Sequence, residues 1–174
     1  MRILNTVPLL ALCLFGTSTL LAQGTTAPPP ACETDPRYAE FDFWLGTWDV
    51  YSVGNKVGVN TITREESGCL VLEKWVDVNG GTGQSYNYFN PDTEQWRQVW
   101  VSSFMAIDYV GGLTDDGAME LTGEVTYFHN AQSAKFFGRW TPRDDGTVEQ
   151  HFEHYDSEKG EMVPIFTAIY QRQE

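Results

Sequence analysis

The side chains best suited to chemistry in this sequence are single acids, amides and imidazoles set among aromatics. Glu73 stands two residues before Trp75, Ser85 two before Asn87, and Gln98 midway between Trp96 and Trp100. On extended chain, residues two apart share a face. Val71, Glu73 and Trp75 therefore lie together, as do Ser85, Asn87 and Phe89, and Trp96, Gln98 and Trp100. A face that mixes large rings with one Glu, Gln, Asn or Ser suits a small-molecule cavity, where apolar walls supply burial and a few polar groups supply orientation. The same pattern also suits aromatics that plug a core while their polar neighbours meet water.

The densest titratable cluster is His151-Phe152-Glu153-His154. Histidines three apart on a strand point to opposite faces and cannot grip one ion without a bulge, so no metal site is expected. Glu149, His151 and Glu153 share a face. They form either a carboxylate–imidazole set able to move a proton near neutral pH or a solvated acidic stripe. His151 and Glu153 accordingly join Glu73, Trp75, Ser85, Asn87, Gln98 and Trp100 as cavity candidates. Arg97 and Arg139 are able to hold a ligand carboxylate by paired hydrogen bonds, or else solvate the exterior. There is no Gly-x-Ser-x-Gly elbow, no phosphate-cradling glycine loop ahead of a helix, and no cysteine nucleophile with an evident partner. Asp115-Asp116-Gly117 and Asp144-Asp145-Gly146 lack the alternating ligands and terminal Glu of a calcium loop and read as turns. No motif calls for a cofactor.

The elements that must position these residues are short apolar and aromatic runs separated by Gly, Asn and Asp turns. Strands are expected near 46–53, 56–66, 69–78, 84–89, 96–102, 106–112, 118–127, 134–141, 147–156 and 163–172. Ten strands in hairpin succession predict an all-β, antiparallel up-and-down barrel, with a two-sheet sandwich as the alternative. Pro36, followed by Tyr38, Phe41 and Trp44 at intervals of three, predicts one short helical turn over 37–44.

The chain has 174 residues, with 11 Lys and Arg against 24 Asp and Glu, a net charge of −13. Aromatics make up 14%, too much large apolar surface for a disordered chain. The acid excess argues against nucleic acid and anionic membranes as partners. At the start, Arg2 precedes an apolar run through Phe15 and then small residues up to Ala22. Residues 1–22 read as a secretory signal peptide, too short and interrupted for a good membrane span, with a retained anchor as the alternative. Residues 23–36, rich in Pro, Thr and Ala, read as a linker, and 37–174 as the barrel domain. Cleavage removes Cys13 and leaves Cys32 and Cys69, either bridged in a secreted or periplasmic protein or present as two free thiols.

The stretch Phe41-Asp42-Phe43-Trp44-Leu45-Gly46-Thr47-Trp48 carries Gly-x-Trp at the head of the first strand, as lipocalin-like (calycin) barrels do. It is followed by Gly68 to Trp75, Gly81 to Pro91, Trp96 to Val101, Gln150-x-x-Glu153 and Tyr170-x-Arg172. Together these make 41–172 resemble the bacterial domain-of-unknown-function family 1579. The resemblance implies a calycin-like barrel and carries no established activity. It matches Ser85 and Asn87 to the family's Ser-x-Asn element, whereas His154-Tyr155-Asp156 departs from the pattern. It also implies that Gly46 and Trp48 close one barrel end under Arg172, with Arg139 as the other possible partner. The two-helix lid of fatty-acid-binding proteins has no room between the first two strands. The Gly-rich repeat of haem-binding nitrobindins is missing, although His151 or His154 falls where an axial ligand would be needed.

The leading expectation is an exported barrel that binds a small apolar or amphipathic molecule. The alternatives are an enzyme using Glu73 or the His151/Glu153 pair for isomerisation, hydration or hydrolysis, a haem or nitric-oxide protein, and a fully plugged barrel acting through its surface.

Overall fold

Strands alternate their side chains between two faces, and in this chain one face of nearly every run meets an aromatic core. The computed structural model describes residues 29–173. The expected signal peptide, 1–22, lies outside them, as does the first part of the expected linker. The strands are β1 (Gly46–Ser52), β2 (Asn55–Glu65), β3 (Leu70–Asp77), β4 (Thr82–Asn90), β5 (Gln95–Ser102), β6 (Met105–Leu113), β7 (Met119–Tyr127), β8 (Gln132–Pro142), β9 (Val148–Asp156) and β10 (Glu161–Arg172). Each pairs antiparallel with the next, and β1 pairs with β10 through Trp48↔Arg172 and Val50↔Tyr170, which closes the ring. The expected up-and-down barrel of about ten strands is therefore observed, and the β1–β10 ladder decides against a sandwich. Closure leaves no unpaired sheet edge. Among the described residues no helix is long and apolar enough to cross a membrane.

One end of the barrel is filled by the segment ahead of β1. The single helical turn expected over 37–44 resolves into two 3-10 turns, Pro36–Ala39 and Asp42–Trp44. A further turn, α1 (Ala31–Thr34), lies within the stretch read as linker. Pro36 suits the first helical position because it has no N–H to leave unpaired, and Asp35 caps the turn by accepting from the Arg37 N–H at 3.0 Å. Cys32 and Cys69 form a disulfide, Cα to Cα 4.9 Å, that ties α1 to the connection between β2 and β3. Arg64 donates to the Tyr38 carbonyl at 3.0 Å and the Gly68 carbonyl at 2.9 Å, and it pairs with Asp42.

This arm carries Tyr38, Phe41 and Trp44 into the core. Phe41 stacks on Trp44 at 4.9 Å between ring centroids and meets Trp140 and Trp96 edge-on at 5.4 and 5.7 Å. Aromatic pairs at these separations and angles add to the area they bury. Trp48 completes the base. Its indole N–H donates to the Trp44 carbonyl at 2.9 Å, and the Arg172 guanidinium lies 4.2 Å from its ring centroid while donating to the Leu45 carbonyl. Gly46 has φ +135, and a Cβ there would overlap Arg172. Arg139 is instead on the outer wall, paired with Glu120 and Asp116.

Candidate functional site

The half of the barrel away from this aromatic base holds a partly open cavity of about 310 Å³. Inward positions of six strands line it: Glu73 and Trp75 from β3, Gln98 and Trp100 from β5, Met105, Ile107 and Tyr109 from β6, Phe136 from β8, Gln150 and Phe152 from β9, and Ile165, Phe166 and Tyr170 from β10. Two glycines make room for the largest rings. A Cβ on Gly58 would overlap the Trp75 ring, and one on Gly83 would overlap Trp100, so each indole packs against bare backbone of the adjacent strand. In β10 the pairing register slips between Pro164 and Phe166. Such a bulge breaks the strict alternation of faces. Both Ile165 and Phe166 accordingly reach the cavity lining.

Below the apolar walls runs a belt of buried polar side chains. Tyr170 Oη donates to Gln150 Oε1 at 2.9 Å, and Asn60 Nδ2 donates to Tyr170 Oη at 3.0 Å and to Glu73 Oε1 at 2.6 Å. Ser85 Oγ donates to the other carboxylate oxygen of Glu73 at 2.5 Å, and Asn87 Nδ2 donates to Ser85 Oγ at 2.8 Å and to the Val71 carbonyl at 2.9 Å. Gln98 donates to Asn87, and Tyr109 donates to Gln98. The belt thus passes from β9 through β10, β2, β3, β4 and β5 to β6. Asn60 Oδ1 is buried without a partner.

Glu73 is the acid in this belt and is 4% exposed. Burial penalises its charged form and raises its pKa to about 7, against the opposing effect of the hydrogen bonds from Ser85 and Asn60. Tyr109 and Tyr170 are held well above the ordinary tyrosine range, by burial first and then by the Glu73 charge. The cavity therefore contains one group that changes charge near neutral pH. Among the described residues no lysine, arginine or histidine is in its lining.

Of the eight residues read from sequence as cavity candidates, Glu73, Trp75, Gln98 and Trp100 line the cavity together. Ser85 and Asn87 are buried behind it, where they hold Glu73 and Gln98 in the belt. His151 and Glu153 are not in the cavity. Gln150 and Phe152 take the inward positions of β9, and by alternation His151 and Glu153 face out, hydrogen-bonded to each other at 3.1 Å, with His151 also bonded to Thr167. His151, facing out, is thus not placed to ligate a haem in the cavity. His154 has the inward parity of Gln150 and Phe152 and bonds Tyr127 Oη at 2.9 Å, opposite Phe136 on β8. Arg97, the other arginine considered for a ligand carboxylate, is bound to Asp108 on the outer wall at 2.5 Å.

Sequence reasoning missed Asn60, Tyr109, Gln150 and Tyr170. Tyr109 and Gln150 fell within expected strands, and the signal available for them was strand parity relative to Ile107 and Phe152. Among the described residues no group of three or more His, Cys, Asp or Glu side chains is placed to hold a metal ion. No family model matches the chain, and no curated protein matches it significantly.

Proposed function

We propose that this protein is an exported, calycin-like carrier of the family 1579 type that binds a small, mostly apolar molecule inside its barrel. The observation that carries the reading is the 310 Å³ cavity with aromatic walls and a hydrogen-bonded polar floor, a combination typical of small-molecule sites. The Cys32–Cys69 disulfide supports an oxidising compartment, outside the cell or in the periplasm. The net charge of −13 supports partners other than nucleic acid or an anionic membrane surface. Native mass spectrometry of the protein purified from medium or periplasm, compared with its denatured mass, tests the proposal. A reproducible extra mass lost on denaturation is expected. Its absence, together with no mass shift on soaking in a panel of apolar metabolites and lipids, would count against a carrier.

A second reading has its own observation. A carboxyl near neutral pKa beside a cavity suits general acid–base catalysis of an isomerisation, hydration or hydrolysis. If the protein is such an enzyme, Glu73→Gln abolishes turnover of the molecule found in the cavity. Full turnover by that variant would leave binding as the function.

A further inference from the structure

The charge inventory of the cavity selects among apolar ligands, on the reading that the barrel is a carrier. Its one ionising group near neutral pH is an acid, and the cationic side chains are elsewhere. Lys56 is paired with Asp49, Arg97 with Asp108 and Arg139 with Glu120, all on the outer wall. A ligand with a carboxylate or phosphate head would enter a low-dielectric space facing Glu73, with no positive side chain among the described residues in its lining. A wholly apolar ligand would leave the remaining lone pairs of Glu73 without a partner. A glutamine has one acceptor oxygen and could not accept from both Asn60 and Ser85, so the two donors call for a carboxylate at this position.

An ionised carboxylate has about four lone-pair sites, and Asn60 and Ser85 occupy one on each oxygen. Acceptor capacity therefore remains for a donor in the cavity. Around it stand seven aromatic rings, among them Trp75, Trp100 and Tyr109. Their faces attract cations, tryptophan most strongly. We infer that the cavity takes a protonated amine on a compact aromatic or aliphatic body, with its ammonium on the Glu73 carboxylate and its body among the rings. The body occupies the apolar half and the ammonium the polar floor.

Such binding must be linked to protons. The groups facing Glu73 from the strands packed around it are Asn60 on β2, Ser85 on β4, Gln98 on β5, Tyr109 on β6, Gln150 on β9 and Tyr170 on β10. Of these only the two tyrosines titrate, and both are pushed well up, so Glu73 alone responds between pH 5 and pH 8. An ammonium seats well only on the ionised form. The affinity for an amine rises over this range, and binding near pH 6 releases a proton.

The test is a calorimetric titration of the intact protein with phenethylamine, its neutral counterpart phenethyl alcohol and the anion phenylacetate at pH 8. Phenethylamine is expected to bind about tenfold or more tightly than the alcohol, as one charge-assisted hydrogen bond together with a cation–π contact would give. Phenylacetate is expected to bind weakest, and Glu73→Gln to bring the amine-to-alcohol ratio towards one. Equal affinities for amine and alcohol would overturn the inference and leave the carrier reading standing. Failure of both amine and alcohol to bind would overturn the inference, while the carrier reading stands or falls on the native mass and the soaking panel. If Glu73→Gln does not fold, the parent protein decides: titrations at pH 6 in buffers of different ionisation enthalpy must show proton release with phenethylamine and none with the alcohol.

Discussion

Glu73 is expensive to bury, and the expense has a sign. Its pKa is about 7 in the folded protein against an ordinary value of 4.5, so the native state holds the proton more tightly than the unfolded chain. Between these two values the native state binds more protons, and stability falls as pH rises. Below pH 4.5 both states are protonated and the penalty is absent, while above pH 7 it is fully present. A shift of this size corresponds to roughly 3 kcal/mol. Glu73→Gln removes the titrating group. The stability of the variant relative to the parent should therefore increase by that amount between pH 4 and pH 8, as read by urea denaturation at each pH. The difference between the two proteins isolates Glu73 from every other titrating residue. A difference independent of pH would mean that Glu73 is ionised in the native state throughout, with no raised pKa for a ligand to exploit.

At the scale of elements, adjacent strands share work through their glycines. Gly83 on β4 is the bed for Trp100 on β5, and a methyl group there meets the indole directly. Gly83→Ala should displace Trp100 into the cavity and weaken phenethyl alcohol binding about tenfold, on the order of the 1–3 kcal/mol typical of overpacking. Unchanged affinity would show that Trp100 has room to move elsewhere. The arm ahead of β1 is secured differently. Its disulfide joins residues separated by 37 positions. Cys32→Ser should lower stability by about 2–4 kcal/mol in guanidinium titrations. A loss well under 1 kcal/mol would assign the anchoring to Arg64 and the Phe41–Trp44 stack instead.

The same elements explain what could be read in advance. Turn residues and short apolar or aromatic runs mark all ten strands, and in β3 and β5 the tryptophans on one face also reveal which face is inward, whereas in β4 Tyr86 and Tyr88 lie on the outer face. In β9 both faces mix polar and apolar side chains, with His151 and Glu153 opposite Gln150 and Phe152. Local alternation there defines two faces without ranking them. Only the neighbours decide: β8 brings Trp140 against Gln150 and β10 brings Phe166 against Phe152, so these residues turn inward. Asn60 and Tyr170 escaped for a related reason. They meet across the closure of the barrel, 110 positions apart, a contact that no local periodicity encodes.

At the scale of the whole molecule, the two barrel ends are unlike. The aromatic arm and Trp48 fill the base, so the cavity communicates with solvent through the end formed by the β1–β2, β3–β4, β5–β6, β7–β8 and β9–β10 loops. That rim exposes Val53, Val78, Phe104 and Phe128, and the Phe128 N–H donates to the Phe104 carbonyl at 2.9 Å, joining two of its loops. A ligand approaching the rim enters the field of a chain with net charge −13. Long-range attraction of this kind raises association rates and is lost as salt screens it, while contacts inside a cavity change mainly the dissociation rate. The Debye length falls from about 30 Å at 0.01 M to about 3 Å at 1 M ionic strength. Stopped-flow tryptophan fluorescence, with Trp75 and Trp100 in the cavity wall as reporters, should show the association rate of phenethylamine falling several-fold across this range. That of phenethyl alcohol should stay nearly constant. Equal salt dependence for the two ligands would mean that the acidic surface has no part in guiding cations to the rim, and selection for an amine would then rest on Glu73 alone.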